Sequence, residues 1–282
     1  AVFENLDVKK KVFAEVEEFV SPETILATNT SSLSITKMAA DLKHPERVVG
    51  FHFFNPVAVL PLLEVVKGEK TDDATLATAF ATAKTLKKSA VLCADLPGFV
   101  FNRLVTRASN EIISAIDEGT PFEVADSAVG ELGMPMSPLT LLALVGPAVA
   151  LHTAETLAEA YPDRFKDSPG FRALVEAKKA GVWTYGPEGQ IVDPEVAEMW
   201  PQGDSPSTSE QVLDRTRRAI ADEIRIMLDE GVVAAPEDID LCLLLGGGFG
   251  FWNGGITPYL DRTGTSEAVT GKRFLAQGVA NV

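Results

Sequence analysis

The chain has 282 residues, 46% of them hydrophobic, and a formal net charge of −15. That is enough apolar mass for two or three ordinary cores. The acidic excess repels nucleic acid and anionic lipid at long range, which leaves small molecules and other proteins as expected partners. Its two cysteines, Cys93 and Cys242, both lie in apolar runs, the pattern of buried thiols in a reducing compartment rather than of a disulfide or a metal site.

The opening segment, AVFENLDVKKKVFAEVEEFV, is an acid-bearing helical pattern, so it is read neither as a secretory signal nor as a transit peptide. Apolar Leu6, Val12, Phe13, Val16 and Phe19 predict one buried face of this first helix. TILATN (24–29) reads as a short strand and SITKMAADL (34–42) as a small helix. RVVGFHF (47–53) and LLEVVKG (62–68) follow as strands, then a helix over 71–86 with Thr71 as its cap, then the strand SAVLCA (89–94). This alternation predicts an α/β unit over residues 1–95.

Beyond Pro97 every periodic segment has helical spacing, so the remainder is expected to be all-α. Within it NEIISAIDEG (110–119) and DEIRIMLDEG (222–231) match in pattern. Each is followed by an acidic helix start, PFEVADSAVGELG or APEDIDLCLLLGG, and then by SPLTLLALVG or ITPYLDRTG. Two related helical domains are expected, 96–200 and 201–282, joined across a polar, Pro-rich stretch DPEVAEMWPQGDSPSTSE (193–210) that reads as linker or loop. LTLLALVGPAVAL (139–151) is too short to span a bilayer and reads as buried helix. LGGGFGFWNGG (245–255) is Gly-rich but follows a helical pattern, so it reads as a helix-connecting turn rather than a phosphate loop. A cytoplasmic type of protein with no membrane insertion and no metal site is expected.

The run GFHFFNPVAVLPLLEVV (50–66) places His52 and Glu64 among apolar residues, where either group is costly without a partner. If the two strands are neighbours, each side chain is the other's partner, and a carboxylate beside an imidazole makes a usable general base. Ser31, Ser32 and Asn55 lie at strand ends, where open α/β sheets form their ligand crevice, and Asn102 lies just past the unit's end. The same His and Glu also fit a satisfied structural pair. Ser31, His52 and Glu64 contain the residue types of a hydrolytic triad, although NTSSL lacks the GxSxG elbow. His44 reads as a loop residue, and His152 as a residue on a helix face.

At ATNTSSLSI, RVVGFHFFNPVAVLPLLEVV and DLPGFVFNRL the chain resembles the L-3-hydroxyacyl-CoA dehydrogenase family, in particular the dehydrogenase part of multifunctional fatty-acid oxidation subunits. The resemblance implies a partial Rossmann-type NAD-binding domain followed by two helical C-terminal domains. It implies that His52 is the catalytic base, Glu64 its partner, and Ser31 and Asn102 the groups that hold the substrate oxygen. It places Val2, Phe3, Glu4, Lys9, Ser31 and Asn55 along NAD, and Tyr259 against the acyl-CoA substrate. A thiolase subunit and a homo-oligomer are the implied protein partners. The chain departs from the family pattern at Ser137, Thr140 and Ala143. The family's GxGxxG turn is expected upstream of Ala1, so residues 1–282 alone are expected to hold NAD poorly and to be inactive. A stand-alone 3-hydroxybutyryl-CoA dehydrogenase and a non-catalytic docking or dimerisation module are the alternatives.

Overall fold

The structure, a computed structural model, describes residues 2, 4–187 and 189–279. The chain forms two compact units, Ala1–Asn102 with Ile226–Gly247, and Arg103–Arg225 with Gly248–Val282.

In the first unit, helix α1 (Leu6–Glu17) starts at Asn5, whose side chain accepts from the Val8 amide at 3.0 Å. The apolar face expected for this helix is not what it buries. Val16 and Phe19 are exposed, and Lys9 and Glu17 are inside. Fixed partners account for this, because a buried charge is tolerated where it is paired. Glu17 accepts from the Lys43 and His44 amides at 2.8 and 3.0 Å and pairs with buried Arg47 at 3.1 Å.

Strands β1 (Leu26–Thr28), β2 (Val48–Phe53), β3 (Leu62–Lys67) and β4 (Ser89–Ala94) form one sheet in that order. β1 and β2 run parallel, β3 and β4 run parallel, and β2 meets β3 antiparallel with His52 directly opposite Glu64. Helix α2 (Ile35–Ala39) follows β1, and helix α3 (Asp73–Thr85) lies between β3 and β4 in the chain. α3 is capped by Asp72, which accepts from Thr75 N at 2.7 Å, rather than by Thr71. The Thr71 hydroxyl is taken up by the Val48 carbonyl at 2.7 Å. This helix-covered sheet of parallel pairs is Rossmann-like.

Side chains alternate across a strand, and the two faces are covered differently. Val49, Phe51, Leu63 and Val65 pack with Leu76, Ala79 and Ala83 of α3. Gly50, His52, Leu62, Glu64 and Val66 occupy the other face. There Gly50 has no room for a side chain, since a Cβ would lie 2.5 Å from that of Val66 and 3.0 Å from Ile35 Cδ1. Helix α11 (Pro236–Gly247), far along the chain, packs on β3 and β4. A Cβ on its Gly246 would sit 2.7 Å from Leu62 Cδ2, so α11 covers the face that carries His52 and Glu64.

The second unit is built on α4 (Phe101–Asp117) from Arg103 onward, α5 (Phe122–Ser127), α6 (Pro138–Val145), α7 (Pro147–Ala160), α8 (Pro169–Glu176), α9 (Pro194–Met199), α10 (Ser209–Asp229) as far as Arg225, α12 (Ile256–Arg262) and α13 (Thr265–Thr270). The expectation that strands end at Pro97 is corrected here. Trp183–Gly186 (β5) and Gly189–Val192 (β6) form an antiparallel hairpin. Strands of four residues are too short to show a period, and the turn depends on Gly189 at φ +114°.

The expected linker is also partly structured. α9 is capped by Asp193, which accepts from Glu195 N at 2.9 Å, and Trp200 is buried edge-on to Phe122 with ring centroids 5.2 Å apart. Nor is 139–151 one buried helix. Gly146 at φ +96° breaks it into α6 and α7 at a bend of 104°, with Leu144, Val145 and Val149 exposed. Among the described residues no single helix is long and apolar enough to cross a membrane.

One buried and one half-buried ion pair join α4 to α10. Arg103 Nε donates to Glu223 at 2.5 Å, and Arg215 Nε to Glu111 at 2.8 Å. At the offset that aligns NEIISAIDEG with DEIRIMLDEG, Arg103 corresponds to Arg215 and Glu111 to Glu223, so the pairs are reciprocal.

Candidate active site

His52 and Glu64 are 6% and 0% exposed, and Nδ1 of the imidazole lies 2.6 Å from Glu64 Oε2. A carboxylate only accepts, so the shared proton is assigned to Nδ1, which leaves the Nε2 lone pair free. The other oxygen, Oε1, accepts from the backbone amides of Val100 and Phe101 at 3.2 and 2.9 Å. The carboxylate is therefore held from both sides, and the ring it holds is packed by Phe54 and Phe99, at centroid distances of 4.5 and 5.8 Å.

The amides reach Glu64 because of the turn after Pro97. Gly98 has φ +77° and Phe99 φ +48°. For a bulky side chain the left-handed region is a genuine outlier, costing on the order of 1–3 kcal/mol where the surroundings enforce it. Here the enforcement is visible, since Phe99 is fully buried. Pro97–Gly98 marks a turn in the sequence, but nothing in it announces that the next two amides serve Glu64.

A second cluster surrounds the loop after β1. Glu4 Oε1 accepts from the Thr30 hydroxyl and from Ser31 N, the latter at 3.1 Å, and Glu4 Oε2 pairs with Lys9 at 2.9 Å. Burial pushes the Glu4 carboxyl upward, but the Thr30 hydroxyl, Lys9 and the Ser31 amide outweigh it and hold it below its ordinary value. Lys9 is 4% exposed, unlike an ordinary lysine on a helix face. On the loop's other side, Asn102 Nδ2 donates to the Ser31 carbonyl at 3.3 Å.

The expected residues thus fall into groups. His52 and Glu64 form one, and Glu4, Lys9, Ser31 and Asn102 are linked by hydrogen bonds into another. Asn55 and Val2 are exposed, and Phe3 lies outside the described residues. The Ser32 hydroxyl is buried, with no partner among the described residues. Tyr259, on α12 of the second unit, is 6% exposed, and its hydroxyl likewise has no partner among the described residues. Thr30, Phe54, Phe99 and the two amides are additions that sequence reasoning missed. Cys93 and Cys242 are buried free thiols whose ionisation burial pushes well up, which makes them poor nucleophiles.

A Rossmann-like sheet carrying a buried imidazole–carboxylate pair, followed by a helical segment, defines a dehydrogenase-like class. Residues 1–96 match the profile of the 3-hydroxyacyl-CoA dehydrogenase NAD binding domain, and residues 98–186 that of the family's C-terminal domain. The chain belongs to the 3-hydroxyacyl-CoA dehydrogenase family. It is similar to the fatty acid oxidation complex subunit alpha of Acinetobacter baumannii (strain SDF), with 36% identity over 95% of this chain and 40% of that protein. The chain thus spans about two-fifths of the length of the curated relatives it matches. Among solved structures, (S)-3-hydroxybutyryl-CoA dehydrogenase PaaH1 from Ralstonia eutropha is 35% identical, with a TM-score of 0.59 over 63% of this chain and 64% of that one. The 3-hydroxybutyryl-CoA dehydrogenase of Escherichia coli K12 shares the fold at a TM-score of 0.75, with 24% identity over 99% of this chain and 79% of that one.

Proposed function

We propose that the chain carries the dehydrogenase step of fatty-acid β-oxidation, the oxidation of L-3-hydroxyacyl-CoA to 3-ketoacyl-CoA with NAD. The observation that carries this reading is the His52–Glu64 pair, buried at 2.6 Å, with the far side of the carboxylate held by two backbone amides. His52 Nε2 accepts the substrate hydroxyl proton while the C3–H bond breaks and the carbon–oxygen double bond forms. Glu64 fixes the tautomer and stabilises the imidazolium that results. Ser31 and Asn102 orient the substrate oxygen, and Tyr259 contacts the acyl-CoA. Bound NAD would supply the acceptor for the C3 hydride.

The donor set fits such a cofactor. Glu4, Lys9, the Thr30 hydroxyl and the Ser31 amide offer a carboxylate, an ammonium, a hydroxyl and an N–H in one network, groups suited to ribose hydroxyls and a carboxamide. Val2, Phe3 and Asn55 complete the proposed contacts. The likeness to PaaH1, a 3-hydroxybutyryl-CoA dehydrogenase by name, supports a short acyl chain as one substrate. The relative is named as a subunit of a complex, which supports a protein partner for this chain; a thiolase-type subunit and a homo-oligomer are the partners proposed, and the cytoplasm the location.

We further infer that 96–200 and 201–282 are duplicated helical domains, supported by the reciprocal Arg103–Glu223 and Arg215–Glu111 pairs; the β5–β6 hairpin interrupts the first copy. An assay of NADH formation by the intact protein with L- and D-3-hydroxybutyryl-CoA tests the activity. Turnover confined to the L enantiomer is expected, and turnover of neither, with longer acyl chains equally inert, would refute it.

A further inference from the structure

Asp95 follows β4 directly, two residues before Pro97, and it lies in none of the groups assigned so far. Its carboxylate reaches back to the start of α2. Oδ1 accepts from Ile35 N at 2.9 Å, and Oδ2 accepts from the Ser34 hydroxyl at 2.7 Å and from Thr36 N at 2.7 Å. Ser34 in turn caps α2 by accepting from Lys37 N at 3.2 Å. The far end of the 29–34 loop, which carries Ser31, is therefore fastened to residue 95. Its middle is fastened to Asn102 through the Ser31 carbonyl at 3.3 Å.

Between those two anchors, seven residues apart, lie the strained Gly98–Phe99 turn and the Val100 and Phe101 amides that hold Glu64. One short segment thus grips both halves of the proposed chemistry. Its middle fixes the carboxylate behind His52, and its ends fix the loop that presents Ser31.

We infer that Asp95 is a positioning residue that sets the Ser31 loop in register with the His52–Glu64 pair, an inference that rests on the dehydrogenase reading above. The carboxylate suits the task because all three of its neighbours donate, and an ionised carboxylate has acceptor sites for all of them in one plane. An amide of the same shape does not, since its NH₂ group would face Thr36 N, donor against donor. Asp95→Asn therefore keeps the volume and frees part of the loop. Misplacement of about 1 Å at a reacting centre can cost up to roughly a hundredfold in rate.

The test uses the intact protein with Asp95→Asn, measuring NADH formation, its pH profile, the thermal midpoint and amide hydrogen exchange over residues 30–36. Expected are a fall in kcat of about ten- to a hundredfold, an acid limb of the pH profile that stays in place because His52 and Glu64 are untouched, and faster exchange at Ser31, Ile35 and Thr36. Unchanged kcat would overturn the proposal. So would a loss of activity that is fully recovered on cooling and tracks a lowered thermal midpoint, which would mark a structural role only. If the wild-type protein forms no NADH, the dehydrogenase reading has failed, and slow exchange in Asp95→Asn at Ile35 and Thr36 would separately show that Asp95 does not hold the loop.

Discussion

His52→Gln is expected to lower turnover of L-3-hydroxyacyl-CoA by about two to four orders of magnitude, the range for loss of a positioned general base. Substrate and cofactor KM values should barely change. Glutamine keeps a polar side chain of similar reach but cannot take up a proton, so the substrate hydroxyl loses its acceptor without a cavity being opened beside Phe54 and Phe99. Glu64→Gln should be nearly as damaging for a different reason. Its Oε1 can still accept from Val100 and Phe101, but its amide would donate to Nδ1 and force the ring proton onto Nε2, the atom that must accept. Glu64→Ala should show the same loss with lower stability added, because two backbone amides and the imidazole would lose their partner at once. Steady-state kinetics of the three variants checks this. Near-normal turnover by His52→Gln would remove the imidazole from the reaction.

Removal of Glu223 is expected to have the largest effect on stability. Its carboxylate is fully buried against Arg103, which is fully buried too, and it also receives Arg164 at 3.2 Å. The phenol ring of Tyr161 lies against both guanidinium groups, with their central carbons 4.6 and 4.2 Å from its centroid. Truncation of one partner of a buried ion pair costs about 3–5 kcal/mol. That is a large share of the roughly 5–15 kcal/mol that holds a typical domain folded. Glu223→Ala should therefore lower the denaturant midpoint severely, whereas an apolar double replacement such as Arg103→Met with Glu223→Leu should recover most of the loss. Chemical denaturation followed by circular dichroism distinguishes the cases. A loss below about 1 kcal/mol for Glu223→Ala, the range of an exposed pair, would mean that the pair is solvated.

The pairing of His52 with Glu64 was legible in the sequence because two apolar strands closely following one another set each of these polar side chains where the other could partner it. The burial of Lys9 was not legible in the charge pattern, which reads as a solvated helix face. What stayed hidden was tertiary. The partner of Arg103 lies 120 residues along the chain, and nothing local to either helix selects it. Helix α11 carries a pattern like that of α5, yet it packs on β3 and β4 and covers the face of the His52–Glu64 pair, with Gly246 against Leu62, which its own periodicity does not announce. Phe99 gives no sign of its left-handed backbone, since bulky residues adopt it only when their surroundings compel it. The β5–β6 hairpin escaped because four-residue strands cannot display alternation, and the exposed Leu144, Val145 and Val149 because an apolar run does not reveal which of its faces will be covered.

The central claim is that a hydride leaves C3 of the substrate while His52 takes the hydroxyl proton. A single turnover of L-3-hydroxybutyryl-CoA deuterated at C3, with the intact protein and NAD, tests it most directly. The deuterium is expected in the reduced nicotinamide, formed fast by the wild type and slowly by His52→Gln. Deuterium released to solvent, or reduced nicotinamide formed equally fast by both proteins, would contradict it.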